Sequence, residues 1–233
     1  MKRRTPLRGV LGQAAGGVGA LAATAALVFL PVGLGHEVPW GWFGAGALGW
    51  VLALALRLPV ILGLRRLGAG PDVMRRWTPA LAGPAEELVR LGVVLIAGQD
   101  FATVYAIGAG WAAIEAVYGM QVGFVRLALL RRADPKALEA RQELAKMGLD
   151  RDISPAWGVV ERLFAGAAHI GFTLLVAAWP LLVIALIPVH AAVNMGVMAL
   201  LPRGIARTEA LVAVSGSVLF IGGLAAFGVI GGT

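Results

Sequence analysis

The chain has 233 residues, of which 59% are hydrophobic and only 14% charged, with 33 glycines, 12 prolines and a formal net charge of +7. Soluble domains average about 45–50% apolar and about 25% charged residues, so the composition excludes an ordinary soluble enzyme and makes lipid the expected solvent. The abundance of apolar residues excludes a disordered chain, and the absence of cysteine excludes disulfides, thiolate metal sites and a cysteine nucleophile.

A bilayer core of ~30 Å needs about 20 apolar residues at ~1.5 Å rise each. Seven stretches satisfy this, at roughly 9–30, 40–62, 79–98, 102–124, 156–178, 181–200 and 208–230. The expected fold is therefore all-α and polytopic, a single transmembrane domain over 1–233. The first stretch is read as a retained anchor, because its apolar run is too long for a secretory signal and no small-residue cleavage site follows Phe29. Residues 134–147 predict a short cytoplasmic helix, with Asp134 as N-cap and Pro135 at its first position. Leu138, Leu144 and Met147 of that helix would face the membrane, and Glu139, Arg141, Glu143 and Lys146 would face water.

Basic residues fall in alternate loops: Lys2 to Arg8, Arg65 to Arg76, Arg126 to Arg151, and Arg203 with Arg207. By the positive-inside rule the N-terminus is expected in the cytoplasm and the C-terminus outside, in a prokaryotic plasma membrane. The excess positive charge is thus a topology signal, and no nucleic-acid partner is expected.

The informative residues are the ionisable and polar ones inside these spans. They are Glu86, Glu87 and Arg90 in the third, Glu115 in the fourth, Glu161, Arg162 and His169 in the fifth, and His190 with Asn194 in the sixth. A charge at mid-bilayer costs ~2.5–3.5 kcal/mol even on lenient insertion scales, so these side chains are expected to face one another. Spacing agrees: Glu86 and Glu87 lie four and three residues before Arg90, and His190 lies four before Asn194. Rise per residue places them in one layer in the cytoplasmic half of the bilayer. The four glutamates and two arginines leave a formal −2, which two protons or one divalent cation would balance.

Intramembrane proteolysis requires such a set, and the residue inventory narrows its chemistry. Ser154, Ser215 and Ser217 lie beside no buried histidine, the aspartates sit in loops or at span ends, and the zinc signature H-E-x-x-H is missing. A glutamate-centred hydrolase remains, with zinc held by His169, His190 and Glu115 as the less favoured variant. No cofactor is expected in the favoured form.

Four motifs stand in order on separate spans: Glu86-Glu87-Leu-Val-Arg90, Trp111-Ala-Ala-Ile-Glu115, Glu161-Arg162 followed by His169, and His190-Ala-Ala-Val-Asn194. Over residues 79–200 this order resembles the YhfC family, a branch of the glutamic intramembrane protease superfamily that includes the CAAX prenyl endopeptidases and PrsW. The resemblance implies that Glu86 activates water, Glu87 and Arg90 orient it, and His190 with Asn194 steadies the oxyanion. Where the CAAX branch has aromatic-x-x-x-His, this chain has Trp111 and Glu115, so the assisting role falls to Glu115 or passes to His169. The ion pairs of Arg90, Glu161 and Arg162 would support the site, and the expected partner is a membrane protein or peptide substrate. A non-catalytic scaffold of the same fold and a proton-coupled transporter or channel are the alternatives.

Overall fold

The computed structural model describes residues 6–132, 134–149 and 153–231, with side chains from residue 12 onward. Among the described residues all regular structure is helical: α1 (Pro6–Gly33), α2 (Trp40–Arg66), α3 (Pro71–Trp77), α4 (Ala82–Ala97), α5 (Phe101–Leu129), α6 (Pro135–Lys146), α7 (Pro155–Ala178), α8 (Val183–Leu200) and α9 (Ile205–Ala226). Single 3₁₀ turns, Pro180–Leu182 and Leu201–Arg203, flank α8.

Six segments are long and apolar enough to cross a membrane: Gly12–Gly33, Trp40–Arg66, Phe101–Leu129, Pro155–Ala178, Pro180–Arg203 and Ile205–Ala226. The chain is an integral membrane protein by this measure. The seventh expected span, 79–98, is the short helix α4, whose 16 residues cover only about 24 Å. The reason lies in where α4 begins. Ala82 is four residues before Glu86, whereas α7 begins fourteen residues before His169 and α5 runs fourteen beyond Glu115. One end of α4 is thus sunk by more than two turns relative to its neighbours. The turn at 78–81 and the short helix α3, with Trp77 exposed, make up the difference.

Helix ends follow local chemistry. Asp100 accepts from the Thr103 amide at 2.9 Å and starts α5, directly after Gly98 turns the chain at φ +90° to close α4. Asp134 caps α6 through the Ala137 amide at 3.2 Å, with Pro135 at the first position, as the sequence predicts. The guanidinium of Arg132 and that amide hold the Asp134 carboxyl below the usual range. Arg141 departs from its expected water-facing role: it is half-buried, and its guanidinium donates to the carbonyls of Leu129 (3.2 Å) and Leu130 at the end of α5. Among the described residues the Leu129 carbonyl otherwise accepts only a 3₁₀-type bond from the Arg132 amide (3.3 Å), and a cation suits the negative end of the helix.

Helix α7 is the centre of the bundle and packs on α1, α4, α5 and α9, while α2 packs on α4 and α5 and α8 on α4 and α9. Glycines allow the closest crossings. A Cβ at Gly46, Gly110, Gly171 or Gly216 would overlap the backbone of Ile107, Phe43, Leu219 or Phe164, so backbones touch at these points, as small residues permit between membrane helices.

Candidate functional site

Helix α4 carries the polar residues on an inward stripe. Ala82, Gly83, Glu86, Glu87, Arg90 and Val94 are buried, whereas Leu88, Leu95 and Ile96 on its other face are exposed. In lipid the apolar face points out and the charged face must find partners inside. Gly83 lets this stripe lie against the backbone of Ile187 and Ala191 on α8, which brings His190 to Glu87.

Arg90 is the hub of the cluster and is 0% exposed. It donates from Nε to Glu87 Oε2 (3.1 Å), from Nη1 to Thr173 Oγ1 (2.7 Å) and the His169 carbonyl (3.2 Å), and from Nη2 to His169 Nδ1 (3.2 Å). Its guanidinium also lies over the Trp111 ring, 4.3 Å from the centroid, a cation–π contact strengthened by the lack of water. Because a guanidinium only donates, His169 Nδ1 accepts and its ring proton sits on Nε2, which donates to Glu115 Oε2. Glu115 Oε1 in turn accepts from Arg162 Nη1 at 3.0 Å, and Arg162 Nη2 donates to Glu161.

His190 Nδ1 donates to Glu87 Oε1 at 2.7 Å, and its ring stacks on Phe172 at 4.9 Å between centroids. The two carboxylate oxygens of Glu87 are therefore taken by Arg90 and His190. Glu86 is held differently: Trp111 Nε1 donates to its Oε2 at 3.0 Å, and its Oε1 accepts from Arg57 on α2. Three further nitrogens, Arg90 Nη2, His169 Nδ1 and His190 Nε2, each stand 3.9 Å from Glu86 Oε2.

The structure thus brings together Glu86, Glu87, Arg90, Glu115, His169 and His190, with Arg162 and Glu161 trailing toward the bundle end. Asn194 is half-buried and makes no hydrogen bond to the cluster. Arg57 is the residue of this cluster that sequence reasoning missed, and Glu209, buried within the expected span 208–230, is a second charge it passed over. Arg57 lies nine residues inside α2, well within the expected span 40–62, and the cost argument applied to the other buried charges applies equally to it. Its presence changes the charge count: four carboxylates now face three guanidiniums, a formal −1 in place of −2. Thr173 and Trp111 carry no charge, so burial cost did not single them out as partners.

A metal fits poorly. Ligand atoms of Glu86, Glu115 and His169 lie within 4.8 Å of one another, but His190, a ligand in the less favoured zinc variant, is not among them. His169 Nε2 is spent on Glu115 and its Nδ1 on Arg90, and both oxygens of Glu86 accept from Arg57 and Trp111. The guanidiniums of Arg57 and Arg90 already supply positive charge to this site.

Fold and site define a polytopic helical membrane protein with a buried network of glutamate, arginine and histidine. No protein-family model, curated protein or solved structure matches the chain.

Proposed function

We propose that this network hydrolyses a peptide bond of a membrane-embedded or membrane-proximal substrate, with water activated by glutamate. The observation that carries the reading is the convergence on Glu86 Oε2. Its 3.9 Å separation from His190 Nε2 is too long for a direct hydrogen bond and suits two groups that share one water at the apex. Glu87 and Phe172 fix the imidazole of His190, and Arg57 and Trp111 fix the carboxylate of Glu86, so both groups are preorganised.

Attack of that water on the substrate carbonyl carbon transfers its proton to the Glu86 carboxylate. Asn194, one helical turn beyond His190 and free of other hydrogen bonds, donates to the developing oxyanion. Collapse breaks the C–N bond as the Glu86 carboxyl returns the proton to the leaving amine. Glu115 and His169 act through Arg90, holding its guanidinium against Glu87. On the four motifs in order, the chain would be a divergent member of the YhfC branch of glutamic-type intramembrane proteases.

Two observations disfavour the alternatives. Beyond the cluster, toward the Asp100 end of the bundle, Val104, Ile170, Leu174 and Val176 are 0% exposed, and this apolar plug interrupts the polar path that a transporter requires. The glycines at 46, 110, 171 and 216 are consumed by contacts within the chain, leaving them unavailable to partner helices of a scaffold.

The direct test is incubation of the purified chain in detergent with a panel of fluorogenic transmembrane peptides; an intact panel at high protein concentration overturns the reading. Cleavage is expected to persist in chelator. Stoichiometric zinc with reversible loss of activity on chelation would instead assign Glu86, Glu115 and His169 as ligands.

The loop charges support a cytoplasmic N-terminus. Arg75 and Arg76 precede α4 and Arg126 ends α5, so on the positive-inside rule we read the pair as crossing out and back, with α4 as the short seventh crossing. Reporter fusions after Gly35, Met74, Asp150 and Thr233 are expected outside, inside, inside and outside. An inside signal at Thr233 would refute seven crossings.

A further inference from the structure

A cavity of about 330 Å³ lies between α1, α5, α7, α8 and α9, at the bundle end that carries the basic loops. That volume is in the range of small-ligand sites. Gly16, Met120, Trp157, Val197 and Val212 give it apolar walls, and its polar groups are unevenly satisfied. Arg162 lines it but is committed to Glu115 and Glu161. Arg126 at the rim is bonded to the Leu149 carbonyl at 2.7 Å. Thr208 donates to its own helix, to the Gly204 carbonyl at 3.3 Å.

Glu209 on α9 is the exception. It lines the cavity, is 4% exposed, and its buried Oε2 has no hydrogen-bond partner. Glu161 on α7 and, more weakly, Arg162 are within electrostatic reach of it, and Glu161 adds a second carboxylate to the lining. A buried carboxylate without a donor costs more than almost any other unsatisfied group. What Glu209 Oε2 lacks is a donor, and with the Glu161 carboxylate nearby a donor that carries positive charge suits it best.

We propose that this cavity binds a primary ammonium group carried on an apolar chain, with Glu209 as its main acceptor and Glu161 as the second. An ammonium carries three N–H donors, enough for Glu209 Oε2 and for Glu161, whose Oε1 also accepts from Arg162, and the apolar walls take the chain behind it. Two sources present this chemistry, a free alkylamine and the ethanolamine headgroup of a lipid. Binding there involves no reaction at Glu86.

The test uses the full chain in phosphatidylcholine nanodiscs, titrated with octylammonium while thermal unfolding is followed. A saturable rise in Tm is expected, with none from octanoate. Glu209→Gln should weaken the apparent affinity at least about tenfold, the value of one charge-assisted hydrogen bond. Gly158→Leu offers a second arm that keeps the carboxylate. Gly158 lines the cavity and a Cβ there meets nothing within 4 Å, so leucine should fill the space without disturbing the fold and abolish the response. A repeat in phosphatidylethanolamine nanodiscs assigns the source: weaker octylammonium binding identifies the lipid headgroup as competitor, and unchanged binding identifies a free amine. Equal responses to octylammonium and octanoate, or a wild-type response in Gly158→Leu, would overturn the proposal.

Discussion

Glu86→Gln is expected to lower peptide cleavage by about 10²–10⁴-fold, the usual contribution of a positioned general base, while the protein remains folded. The amide keeps the size of the carboxyl and one acceptor oxygen. It can still accept from either Trp111, now 3.0 Å away, or Arg57, but it cannot take a proton from water. Because Glu86 is buried beside two guanidiniums, Arg57 and Arg90, a modest loss of stability is expected as well. Unfolding of the variant must therefore be followed beside its cleavage rate. Glu115→Gln should cost less activity, since the hydrogen bonds of Glu115 run to His169 and Arg162 rather than to Glu86. Its loss should be restored in part by Glu115→Asp, which a direct base would not tolerate. Full cleavage by Glu86→Gln would remove the hydrolytic reading.

Arg90→Met is expected to destabilise the protein by about 3–5 kcal/mol, the cost of leaving a buried charge without its partner. No water reaches Arg90, and four acceptors on Glu87, His169 and Thr173 depend on its guanidinium. Methionine fills the volume over the Trp111 ring but donates nothing, so Glu87 would hold its negative charge against His190 alone. Lysine should rescue poorly, because an ammonium cannot span Nε-, Nη1- and Nη2-like positions at once. Combining Arg90→Met with Glu87→Gln should recover part of the loss by removing the orphaned charge, which makes the two changes non-additive. Denaturation of the four forms in mixed micelles measures this cycle. A single-variant loss below about 1 kcal/mol would mean that the cluster is not held by Arg90 in the way the geometry indicates.

Much of this molecule was legible along the chain because lipid imposes a severe local rule. A span must be apolar for about 20 residues and any charge inside it must face a partner, so Glu86, Glu87, Arg90, Glu115, Arg162, His169 and His190 declared themselves by position. The i, i+3 and i, i+4 rules paired Arg90 with its two glutamates within α4, and the tighter contact proved to be Glu87. Asp134 and Pro135 announced α6 through capping chemistry that needs only neighbouring residues.

What the chain could not state is which charge on one helix meets which on another. The partnership of Arg57 with Glu86 joins residues 29 apart and that of His190 with Glu87 joins residues 103 apart, and no local periodicity encodes such a distance. The pairing is set by the backbone approach of Gly83 on α4 to α8 and by the crossings at Gly46 and Gly110, properties of packed helices rather than of any one segment. The same holds for Arg141, whose water-facing pattern on α6 was overruled by the carbonyls ending α5, and for Glu209, whose lack of a donor exists only once five helices enclose it. Sequence determined which residues had to be hidden from lipid, because that cost is paid residue by residue. Tertiary structure alone decided their partners, because hydrogen bonds and ion pairs depend on separations of a few ångströms between helices far apart in the chain.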